Sequence, residues 1–142
     1  MLRTIALLFV LVLASSGCSV DTAPAERAVP KFHSMLDAGN FAQIYASCSE
    51  DLKSRSSQQD FVAFLEGVHR KLGASASSQR QGWRVDYRPA GTFITLTYTT
   101  RYAQGEAQEQ FVFRMKDNRA LLAGYHINSN ALILGHDATT TI

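Results

Sequence analysis

Apolar residues recur at Phe61, Phe64, Leu65, Val68 and Leu72, the three-and-four spacing that lines one face of a helix. Ser56 with Gln59 makes a capping-box pattern ahead of that run and Gly73 closes it, so residues 57–72 are predicted to be helical. Val29, Phe32 and Leu36, with Met35 beside them, set the same period for an earlier helix. It stops at Asp37-Ala38-Gly39-Asn40, where Gly39 suits a left-handed cap. Pro30 either opens this helix or bends a longer one that begins at Pro24. A short helix from Phe41 to about Cys48 completes the helical half.

Gly73 to Ser78 reads as a small-residue linker, after which the period changes to two. Trp83, Val85 and Tyr87 alternate with Arg84, Asp86 and Arg88, and Ile94, Leu96, Tyr98 and Tyr102 alternate with threonines, as half-buried strands do. A Gln104-Gly105 turn pairs Ala103 with Glu106. It sets Tyr98 opposite Phe111, Leu96 opposite Phe113 and Ile94 opposite Met115, all on one face. Asp117-Asn118 is the next turn candidate. With two turn residues, Phe113 faces Leu122 and His126 joins the face of Tyr98 and Phe111; a bulge at that turn would present Tyr125 instead.

The last strand, residues 119–128, carries apolar residues on both parities, so it is expected to be covered on both sides. The helices would cover one side, and Leu132-Ile133-Leu134 or a second copy of the chain the other. The sum is an α+β domain: three N-terminal helices packed on a four-stranded antiparallel sheet.

The start of the chain changes where this domain is expected to act. Arg3 is followed by an apolar run from Ile5 to Ala14, then by Ser15-Ser16-Gly17 and Cys18, the layout of a secretory signal. Ten residues span about 15 Å as a helix, about half a bilayer core, too short for a permanent crossing. Leu13-Ala14-Ser15-Ser16-Gly17-Cys18 resembles a bacterial lipobox, which implies that Cys18 becomes the acylated first residue of the mature chain. The alternative is an ordinary signal peptidase site with an incidental cysteine. Ser19 after the cysteine implies sorting to the outer membrane, facing the periplasm. The expected organisation is a signal peptide at 1–17, a lipidated tether at 18–29, the domain at 30–129 and a tail at 130–142. The ten residues from Val20 to Val29 would reach at most about 35 Å.

Composition bounds the chemistry. The chain has 142 residues, enough for one domain, and 14 basic against 12 acidic residues, too even a balance to suggest nucleic acid. With Cys18 acylated, Cys48 has no partner for a disulfide and is expected to be a small buried hydrophobe. His33, His69, His126, His136 and Cys48 form no C-x-x-C or H-E-x-x-H arrangement, so no metal or other cofactor is implied. No Gly-x-Ser-x-Gly setting surrounds the serines, and the glycines make no phosphate loop.

Leu36-Asp37-Ala38-Gly39-Asn40-Phe41, the Phe61 helix, Phe93-Ile94-Thr95-Leu96-Thr97-Tyr98 and Leu122-Ala123-Gly124-Tyr125-His126-Ile127 together resemble the bacterial domain of unknown function 4019 family, over residues 24 to 128. The chain departs from that family at Ala120, where tryptophan is common, and at Pro30. The family is similar to the nuclear transport factor 2-like superfamily, also called cystatin-like. The resemblance therefore implies a curved sheet wrapped round the helices as a cone, with Tyr98, Phe111, Phe113, Leu122 and His126 lining its cavity. Enzymes of that superfamily include isomerases and dehydratases with a cavity carboxylate or histidine and tyrosine donors; here His126, Tyr98 and Asp86 could supply such groups. Asp86 lies between Arg84 and Arg88 on the polar parity, as part of a solvated face.

The expected function is a lipid-anchored envelope domain that binds without catalysing. Its implied partners are the membrane, reached through Cys18, and a second copy, an envelope protein or a small apolar ligand.

Overall fold

The computed structural model describes residues 19–134. The leader, Cys18 and His136 lie outside the described residues. Helix α1, Ala23–Asp37, opens with Pro24 in its first turn and runs through Pro30 without a break. Pro30 is exposed, so its ring meets solvent. Residues 24–29, expected as tether, are thus helical, with Ala25 and Val29 buried. The helix ends as its sequence promised. Gly39 takes φ +73°, and the N–H of Asn40 donates to the Met35 carbonyl at 2.8 Å, a Schellman-type closure.

Helices α2 (Phe41–Ala46), α3 (Glu50–Lys53) and α4 (Gln58–Leu72) follow, one more than expected before the sheet. The α4 cap falls one residue later than the pattern suggested. Ser57 is extended and its Oγ accepts from the Asp60 N–H at 3.1 Å, while the Ser56 carbonyl accepts from the Tyr45 hydroxyl.

Strands β1 (Ser75–Arg88), β2 (Gly91–Tyr102), β3 (Gly105–Lys116) and β4 (Arg119–Asn128) form one open antiparallel sheet in sequence order. The supposed linker already belongs to β1. Its anchor is polar: the backbone N–H and hydroxyl of Ser75 both donate to the Asp37 carboxylate. A register shift at Gln81 interrupts the β1–β2 ladder. The β2–β3 hairpin turns at Ala103-Gln104, pairing Tyr102 with Gly105, so Tyr98 faces Glu109, Leu96 faces Phe111 and Ile94 faces Phe113. The expected register is corrected by two residues. An even slip leaves every side chain on its expected face, so hydrophobic alternation could not detect it. The tip is set by the helices instead, since the N–H groups of Ala103 and Gln104 donate to the carbonyls of Ala74 and Leu72.

Asp117 and Asn118, at φ 50° and 57°, make the β3–β4 turn, and Phe113 pairs with Leu122 as expected. A bulge then intervenes, not at the turn but at Ala123: Val112 pairs with Gly124, Phe111 with Tyr125 and Gln110 with His126. Parity switches there. This brings Leu122 before the bulge and Tyr125 and Ile127 after it to the same inner face. Helix α5, Asn130–Leu134, expected against β4, packs on α4 and β3 instead. The edge of β4 is met by the α3 region, where the Ser49 N–H donates to the Leu122 carbonyl and Arg55 to that of Ala123.

The core lies between the helices and the inner sheet face. Phe32, Leu36 and Leu65 meet Ile94, Leu96, Phe111 and Phe113 there. A fully buried side chain of this kind contributes about 1.5–3 kcal/mol. The class is therefore α+β, helices before a four-stranded antiparallel sheet.

Candidate functional site

β3 points Ala107, Glu109, Phe111 and Phe113 inward, which carries a carboxylate into the core: Glu109 is 1% exposed. A buried charge is costly unless paired and hydrogen-bonded, and here three elements converge on it. His33, on the buried stripe of α1 beside Phe32, brings Nε2 to 2.8 Å from Glu109 Oε2. The hydroxyls of Tyr102 on β2 and Tyr125 on β4 both donate to Oε1, at 2.7 and 2.5 Å. On its other side His33 Nδ1 lies 3.3 Å from the Ser78 hydroxyl, which lies 3.0 Å from the Thr100 hydroxyl.

The electrostatics follow from this geometry. Burial pushes the Glu109 carboxyl up, but the hydrogen bond and charge of His33, with Thr100 and Tyr125, outweigh it and hold the group below the usual carboxylate range. Burial, and then the neighbouring Glu109 charge, push both Tyr102 and Tyr125 up, so the two phenols remain protonated and act as donors.

Ser78, His33 and Glu109 lie in the order of a hydroxyl, an imidazole and a carboxylate, which invites comparison with a nucleophile triad. The surroundings differ. Ser78 sits within a strand whose backbone is paired with Thr100, not on a turn offering free N–H groups to an oxyanion. Glu109 has both oxygens occupied by protein donors. The cluster ties α1 to β2, β3 and β4, and its His33 and Ser78 also line a groove of about 650 Å³ between α1 and β1.

Tyr98, Phe111, Phe113 and Leu122, expected to line a cavity, come together on the inner face. Phe111 lies edge-on to Tyr98 at 6.0 Å, and Phe32 packs against both Phe111 and Tyr125 at 5.2 and 4.7 Å, so aromatic rings fill the space. His126 does not join them. The bulge at Ala123 turns it outward, where it is exposed opposite Gln110, and Tyr125 takes the inward place. Asp86 pairs with Arg84 and Arg88 on the outer parity. Cys48 is buried, its Sγ 3.2 Å from the Ile44 carbonyl, and burial pushes its thiol up to about 12, outweighing the nearby Lys53 charge. Among the described residues no three His, Cys, Asp or Glu gather as metal ligands, and no helix is long and apolar enough to cross a membrane.

Tyr102 was expected on the apolar face and Tyr125 only as the outcome of a bulge, whereas the pairing of His33 with Glu109 was missed, although both residues left a signal. Glu109 is a carboxylate at an inward position of an otherwise apolar strand, and His33 falls one turn after Val29 on the buried stripe.

Elsewhere α1 and β4 enclose a groove of about 340 Å³. Phe32, Met35, Ile44, Phe113 and Leu122 line it, with Arg27, Lys31 and Arg119 as its charged residues.

Aln2 from a Streptomyces species has a similar fold, with a TM-score of 0.50 and 11% identity over 79% of this chain and 92% of that one. A protein from Catenulispora acidiphila gives 0.49 and 15%, over 75% and 88%. No curated protein matches the chain. The model of the family described as proteins of unknown function (DUF4019) matches residues 28–125, well over half of the sequence. The chain belongs to this family of proteins of unknown function, DUF4019.

Proposed function

We propose that this protein is a lipid-anchored domain of the bacterial envelope, at the outer membrane facing the periplasm, which binds a ligand or partner without catalysing a reaction. The observation that carries the non-catalytic part is the burial of Glu109, 1% exposed, with both of its oxygens accepting from protein donors. An isomerase or dehydratase of the expected kind would need a titratable group free in an open cup, and His126 is exposed on the far face.

The anchoring part is supported by the Leu13–Cys18 sequence, with Ser19 behind it. Because α1 starts at Ala23, only residues 19–22 separate Cys18 from the folded domain. Four extended residues reach about 14 Å, so an acylated Cys18 holds the domain against the bilayer surface. Mass spectrometry of the mature amino terminus, with membrane fractionation of wild type and Cys18→Ala, tests it. The expected result is a diacylated or triacylated Cys18 and a Cys18→Ala protein released from the membrane; an unmodified terminus elsewhere would sink the anchor.

A further inference from the structure

We infer that the groove between α1 and β4 is a binding site for a single-chain amphipathic anion, a fatty carboxylate. The inference rests on the non-catalytic binding role proposed above and supplies its site and ligand chemistry.

The floor of the groove is apolar. Phe32, Ile44, Phe113 and Leu122 are buried side chains whose surfaces face it, and Met35 and Ala120 are half-buried beside them. Its charged residues are all of one sign: Arg27 and Lys31, one turn apart on α1, and Arg119 at the start of β4, with no Asp or Glu among the lining. All three are exposed, and none is ion-paired with a described carboxylate. Arg55, Arg70, Lys71, Arg101 and Lys116 also lack an acidic partner among the described residues, so what sets Arg27, Lys31 and Arg119 apart is that they share one groove with apolar residues. Three unpaired cations over an apolar floor complement a ligand with a negative head and a hydrocarbon tail. The volume, about 340 Å³, is near the small end of the range for small-molecule sites and suits one alkyl chain, not the two of a phospholipid. Pro24 belongs to the lining, so the groove begins at the end of α1 from which the chain leads back to Cys18, where membrane-derived acyl chains would be at hand.

The test uses the full chain in phosphatidylcholine vesicles and a diazirine-bearing dodecanoate, with peptide mapping of the photo-adduct. Adducts are expected between residues 24 and 35 and between 113 and 122, and excess laurate should remove them while dodecanol competes weakly. Arg27→Gln, Lys31→Gln and Arg119→Gln combined should lower labelling about tenfold, three exposed charge contacts together approaching the interaction energy of one decade in affinity. Ala120→Trp, which fills the groove and leaves the cations in place, should also abolish labelling. Adducts scattered over the surface, equal competition by dodecanol, or labelling unchanged in both variants would overturn the site. Cys18→Ala should label as wild type does, so failure of the anchor and failure of the groove are read separately.

Discussion

The two flanks of α1 treat charge in opposite ways. Toward β1 and the sheet centre, Glu26 meets Arg80, His33 meets Glu109 and Asp37 holds Ser75, so each charge that leaves the helix finds a partner within the fold. Toward β4, Arg27 and Lys31 overlook an apolar floor together with Arg119, and no described carboxylate answers them. The first flank is architecture: its polar groups fix where the helix lies on the sheet. On the second, the same helix displays charge with no ion-pair partner among the described residues, and such charge is free to recognise something outside the chain.

Substitutions on the two flanks should therefore differ most in stability. Glu109→Ala strands an imidazole and two phenols in the core and should cost about 3–5 kcal/mol in urea unfolding, as breaking a buried pair does; a loss within experimental error would mean the cluster ties nothing together.

Acid should act on the same flank. The Glu109 carboxyl lies below its usual value of 4.5, so its contribution to stability is complete above that value and is lost as pH falls through the lower, folded one. Glu109→Gln should flatten the acid limb of the stability curve measured from about pH 6 to about pH 3, and parallel curves would deny the coupling. Tyr125→Phe removes one hydrogen bond to a charged group and should cost about 1.5–3 kcal/mol by the same unfolding measurement. Arg27→Gln with Lys31→Gln should leave the unfolding midpoint almost unmoved, within about 0.5 kcal/mol, as exposed substitutions away from packed features do. A larger loss there would turn the second flank into architecture too.

Much of the fold was legible because its signals are local. The α4 stripe, the Gly39 closure and the inward parity of β2 and β3 each follow from spacings within a few residues. What escaped depended on distance. The His33–Glu109 pair joins residues 76 positions apart, and neither residue alone indicates that the other will face it. A bulge that presents Tyr125 was considered only at the turn, and its place at Ala123 escaped for a different reason: Ala123 and Gly124 are small enough to suit either face, so no clash in the pattern marked where parity changed, and His126 was assigned inward. The β2–β3 register slipped because a shift of two preserves alternation, and the α4 terminus, not the turn sequence, chooses the tip. The start of β1 was hidden because Asp37, a polar group from another element, holds it.

An open sheet has two rims, and a bare rim invites fibre growth by stacking chain on chain. In this molecule neither rim is a clean template. Ser49 and Arg55 occupy carbonyls along β4, while the irregularity at Gln81 and the arginines at 84 and 88 spoil β1. Strand-on-strand stacking of copies along either rim is therefore obstructed.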